Sequence, residues 1–143
     1  MGGGFERVHL QLQSTIEVLD YVQHVSEDVA RRTGLDAETV HWTSMAVREI
    51  VINAIMHGNK GVPEKHVFVD FEVVANGGGH DLVVRIRDEG DGFDPSALCD
   101  PLAPENILSM SGRGIFLVRQ FMDDVSILRA REGGMEVRML KHL

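Results

Sequence analysis

The chain has a single cysteine, Cys99, among 143 residues. That excludes an internal disulfide and a cysteine-based zinc site of the common kind, and it fits a reducing compartment. No stretch is apolar for the length a bilayer crossing needs, so no membrane association is expected. The opening MGGGFERVHL has neither the basic region nor the apolar run of a secretory signal, and residues 1–4 read as a flexible tail. The expected location is cytoplasmic. Basic side chains are outnumbered: 14 Lys and Arg stand against 22 Asp and Glu, a formal net charge of -8. Such a surface repels a phosphate backbone, so direct nucleic-acid binding is not expected and a basic protein surface is the more natural partner. None of the seven histidines forms an HExxH pair, so no dedicated transition-metal site is read. Internal repeats and linkers are also missing, and the length predicts one domain over 1–143.

What is present has a clear order. RVHLQLQS alternates apolar and polar residues and predicts a strand. From Thr15 to Arg32 the apolar residues Ile16, Leu19, Val22, Val25 and Val29 recur at helical spacing, and Thr33-Gly34 ends that helix. Asp36 is the N-cap candidate of a second helix running to about Gly58, with Thr39 at its third position. KHVFVDFEVVA and HDLVVRIRDE read as strands joined at Asn76-Gly77-Gly78-Gly79, a hairpin signal. Three of the four prolines fall in PSALCDPLAPENILSMS, residues 95–111, an unpatterned excursion of the kind that forms functional lids. Gly112-Arg113-Gly114 opens a third helix to about Met122. VSILRAR and MEVRMLKHL form a last hairpin around Glu132-Gly133-Gly134. The predicted class is α/β, a two-layer sandwich whose mixed, mostly antiparallel sheet carries its helices on one face.

The chemistry concentrates in three places. On the second helix, Val40, Val47, Ile50, Val51 and Ala54 share one face, and Met45, Ile52 and Met56 form a strip nearly opposite. That strip is expected to pack on the first helix or on a second subunit. Between the two faces runs a narrow polar stripe, Glu49, Asn53 and His57, because residues four apart lie nearly above one another. A carboxylate there can accept a proton from an attacking hydroxyl, and a neutral carboxamide oxygen one turn on can hold a hard cation. The bland alternative is a solvated helix edge. His57, with Gly58 and Asn59, suits helix termination better than ligand contact. Asp88-Glu89-Gly90-Asp91-Gly92 ends a strand, and its glycines let a ligand approach the backbone. An acceptor-only carboxylate at Asp88 suits an exocyclic amine, while a tight turn is the structural alternative. Gly112, Arg113 and Gly114 precede a helix whose free amides and dipole can cradle phosphate oxygens.

Together, E-x-x-x-N-A-x-x-H-G-N, then D-x-G-x-G-F, then G-R-G-I-F-L-V-R-Q-F-M-D-D-V, in this order, resemble the anti-sigma-factor serine/threonine kinases. These belong to the superfamily of gyrase-like and histidine-kinase-like ATPases (GHKL), and the resemblance runs over nearly the whole chain. It implies a Bergerat-type fold that binds ATP and Mg²⁺, with residues 95–113 as the ATP lid. Asn53 would hold the Mg²⁺, His57 would lie at the nucleotide, and Asp88 would recognise adenine. Gly90 and Gly92 would shape the base pocket, and Gly112, Arg113 and Gly114 would close on the phosphates. Glu49 matches the family's general base, which activates a serine or threonine hydroxyl of an anti-anti-sigma protein. The implied partners are that antagonist, a sigma factor and a second copy in a homodimer. Two other readings remain: a non-catalytic ATP-binding interaction module, and the ATP-binding domain of a sensor histidine kinase. The latter is disfavoured because QHVSEDVA around His24 lacks an H-E-x-x-x-P pattern.

Overall fold

The computed structural model describes residues 7–91, 114–131 and 133–143. The expected tail at 1–4, the lid, and Gly92, Gly112 and Arg113 lie outside them.

Strand β1, Arg7–Gln13, alternates as its sequence predicts and leads into helix α1, Val18–Arg32. Leu19, Val22 and Val29 are buried and Val25 packs against the core, but Ile16 is 63% exposed. It misses the apolar face because the chain first makes a turn in which Leu19 N–H donates to the Ile16 carbonyl (3.0 Å). Gly34, at φ +91°, then takes the left-handed conformation that follows a helix end without a Cβ penalty. Helix α2 spans Ala37–Asn53 and is capped by the Asp36 carboxylate, which accepts from Thr39 N–H at 2.8 Å. That bond satisfies one of the free amides of the first turn, and the Thr39 side chain and then its amide hold the Asp36 carboxyl below its ordinary pKa. Val40, Val47, Ile50, Val51 and Ala54 are all buried, as their spacing predicts. On the other side Met45 meets α1, its sulfur 3.8 Å from Gln23 Nε2, while Met56 is 47% exposed.

Strands β2, His66–Asn76, and β3, Gly79–Arg87, form the expected hairpin, with Asn76 opposite Gly79 and Gly77 at φ +60°. Helix α3, Gly114–Phe121, precedes β4, Asp124–Arg129, and β5, Met135–His142. The five strands lie in the order β1-β2-β3-β5-β4, and all four neighbouring pairs are antiparallel. The mixed, mostly antiparallel sheet of the sequence reading is thus antiparallel at every pairing among the described residues.

Register decides where the core sits. Leu10 faces Val69, which faces Ile86, which faces Val137; Val8, Phe71, Val84 and Met139 form the next row. These residues share one side of the pleat and join the buried faces of all three helices in one cluster. Each fully buried aliphatic or phenyl side chain contributes roughly 1.5–3 kcal/mol. The opposite side of the sheet is polar: Arg7 pairs with Asp70 at 3.2 Å, Arg85 with Glu72 at 3.0 Å, and the Arg87 guanidinium lies 4.2 Å from the Phe68 ring centroid. A one-sided core leaves the helix layer to build the site. Among the described residues no helix is long and apolar enough to cross a membrane.

Candidate functional site

The α-helical pattern of α2 stops at Asn53, and the chain continues through a π-turn, Ala54–Gly58. Asn59 N–H closes that turn on the Ala54 carbonyl at 2.8 Å, and Lys60 and Gly61 then adopt φ of +53° and +70°. A π-turn widens the helix, so residues four apart no longer stack. The predicted stripe therefore divides. Glu49 is half-buried, Asn53 is buried, and His57 is exposed at the end of the turn. Among the described residues Asn53 Oδ1 is buried without a hydrogen-bond partner. Such an orphaned acceptor costs about 1–3 kcal/mol unless something outside the chain satisfies it. A hard cation fits an acceptor of this kind, and a neutral carboxamide can hold one without carrying an opposing full charge into the interior. Among the described residues no group of three His, Cys, Asp or Glu side chains is placed to hold a metal by itself. A cation at Asn53 would therefore need ligands from elsewhere, as a nucleotide's phosphates provide.

At the end of β3, Asp88 is only 5% exposed. Its Oδ1 accepts from Gly90 N–H (2.9 Å) and from Met135 N–H (3.2 Å), and its own N–H donates to the Met135 carbonyl (3.0 Å). Burial pushes its carboxyl pKa up, and those two amides pull it partly back. Three glycines make this packing possible. A Cβ on Gly58 would overlap the Asp88 carboxylate, one on Gly90 would overlap the Gly58 carbonyl, and one on Gly134 would overlap the Asp88 backbone. The π-turn, the β3 end and the β4–β5 hairpin thus converge on one carboxylate. With Oδ1 engaged by backbone, an external amine at this carboxylate would have to be met by Oδ2, which lies against Gly58.

A family model for the histidine kinase-like ATPase domain matches residues 12–141. The chain belongs to that family. Among curated relatives, a serine-protein kinase RsbW of Listeria innocua is 25% identical over 144 aligned positions, covering 96% of this chain and 88% of the relative. A serine-protein kinase RsbW of Staphylococcus epidermidis is 27% identical and covers 95% and 86%. Solved structures agree on the fold. The RsbU and RsbW domains of a Mycobacterium tuberculosis protein superpose with a TM-score of 0.67 at 17% identity, covering 96% of this chain and 32% of that one. The mycobacterial sensor histidine kinase MprB gives 0.55 at 20% identity, with 94% and 97% covered.

Within this histidine kinase-like ATPase domain, the structure brings Asn53, Asp88 and Gly90 to the two ends of the π-turn, with Glu49 one helical turn before Asn53. It leaves His57 exposed on the rim, and Gly114 begins α3. Sequence reasoning missed three things. Gly58 and Gly134 are steric partners of Asp88, which the sequence can hint at only as glycines beside structured segments. Met135 acts through its backbone, so its side-chain identity carries no signal. Asn59, taken with His57 and Gly58 as part of a helix end, is fully buried and bonded on every side.

Proposed function

We propose that the chain is an ATP-dependent protein serine/threonine kinase that also acts as an anti-sigma factor, phosphorylating an anti-anti-sigma protein and capturing a sigma factor by partner exchange. The observation that carries the reading is the unpartnered, buried Asn53 oxygen at the end of the helix that holds Glu49, in a chain whose curated relatives bear the name serine-protein kinase. ATP is the phosphoryl donor, and Mg²⁺ held by Asn53 would neutralise its phosphate charge. Asp88 accepts from the adenine amine. Glu49 takes the proton of the acceptor's hydroxyl as that oxygen bonds to the γ-phosphorus and the bond to the β-phosphate oxygen breaks, leaving ADP.

The test is transfer of labelled γ-phosphate from Mg-ATP to a candidate antagonist protein. Acid-stable labelling that Glu49→Ala removes, with nucleotide binding kept, is the expected result. Equal labelling by the variant would reject Glu49 as the base. Nucleotide binding with no transfer at any Mg²⁺ concentration would replace the kinase with a binding module.

A further inference from the structure

Asn59 lies six residues beyond Asn53, is 0% exposed, and spends both amide hydrogens: Nδ2 donates to Ser14 Oγ at 2.8 Å and to the His66 carbonyl at 2.9 Å. Its Oδ1 accepts from Glu89 N–H at 2.8 Å. This pattern fixes the orientation of the amide, since a flipped group would set a donor against Glu89 N–H and an acceptor against the His66 carbonyl. Ser14 commits its own hydrogen to the Lys65 carbonyl at 2.7 Å, so it can only accept from Asn59. Glu89 is gripped from its other end as well, where its Oε1 accepts from His66 N–H at 2.6 Å. The Asn59 backbone N–H, meanwhile, closes the π-turn on Ala54. One residue therefore ties the last turn beyond Asn53 to the amide immediately following Asp88.

We infer that Asn59 is a positioning residue for base recognition: it sets the Asp88-Glu89-Gly90 segment against the π-turn so that the Asp88 carboxylate meets the 6-amino group of a purine. This rests on the nucleotide reading above. The geometry gives it a distinct signature, because Asn59 acts on the base end of the site through Glu89 and has no bond to Asn53. Removing it should erase discrimination at the base while leaving phosphate and cation affinity in place.

The experiment measures equilibrium binding of ATP and of purine riboside triphosphate, which lacks the 6-amino group, each with Mg²⁺, to the full chain. The wild type is expected to prefer ATP by about tenfold or more, the worth of a buried hydrogen bond to a charged group. In Asn59→Ala the preference should fall to about one, with affinity for the purine analogue nearly unchanged. Asn59→Ser keeps a small polar side chain, too short to reach Glu89, and serves as the second variant with the same expected result. Equal weakening of both nucleotides with the preference intact would show that Asn59 only stabilises the fold, and overturns the inference. A wild type with no preference for ATP would overturn the assignment of Asp88 to adenine itself, and the inference with it.

Discussion

Asn53 and Asn59 are the same residue type, both buried, at opposite ends of one π-turn, yet among the described residues the first has an oxygen with no partner and the second has three side-chain hydrogen bonds. The difference separates two uses of a buried carboxamide. A satisfied one holds the fold together. An unsatisfied one is a standing cost, which on the proposed reading a bound group offsets.

The sharpest way to break the comparison is to remove each side chain in turn. Asn59→Ala leaves Glu89 N–H, the His66 carbonyl and Ser14 short of a partner, and is expected to lower unfolding stability by roughly 2–4 kcal/mol in denaturant titrations. Asn53→Ala removes an acceptor that is already unpaired, so stability without nucleotide should change by less than about 1 kcal/mol. If both variants lose stability equally, the two asparagines do the same job and the distinction fails. Gly134→Ala should come next: a Cβ forced against the Asp88 backbone at φ +76° is expected to cost roughly 1–3 kcal/mol and to weaken ATP binding together with stability.

Much of this architecture is legible in the sequence because local signals agree with one another. Asp36 and Thr39 mark a helix start that the Asp36–Thr39 bond then makes, and Asn76 through Gly79 mark a hairpin that the register then closes. Ile16 misleads because a turn precedes α1, and apolar spacing alone cannot tell a turn from a helix entry. The site divides in the same way. Asn53 and Asp88 stand out as polar groups where a helix face or a strand end has little reason for them. The π-turn does not stand out, because Asn59 at its end must reach Ser14 and Glu89, which are distant in the chain, as well as the nearer His66. His57 follows from the same cause, since the widened turn carries it out to solvent.

Two pH experiments sharpen the contrast further, with smaller effects. The Asp88 pKa is raised by burial, so its ionisation opposes folding: the penalty is absent below the ordinary carboxylate range and grows as pH rises through the elevated value. Asp88→Asn keeps an acceptor for Gly90 and Met135 N–H and should melt at a higher temperature than the wild type at pH 7, with the gap closing towards pH 3, while losing ATP affinity. An identical melting profile at all pH values would contradict the burial argument. Far from the site, His142 Nδ1 lies 2.7 Å from Asp81 Oδ1, a bond that raises the imidazole pKa. Its stabilisation is present below the ordinary imidazole range and is lost as pH rises through the raised value. His142→Gln should therefore flatten the pH dependence of melting from the ordinary imidazole range up through the raised value, without changing nucleotide affinity. A change in ATP binding would show that the C-terminal pair is coupled to the site.

The most direct measurement compares ATP affinity with and without Mg²⁺ in the wild type and in Asn53→Ala. Tight binding that weakens when Mg²⁺ is chelated, and a variant whose binding is weak and indifferent to Mg²⁺, is the predicted pair of results. A variant that keeps the wild-type affinity and the wild-type response to Mg²⁺ would contradict the role of Asn53.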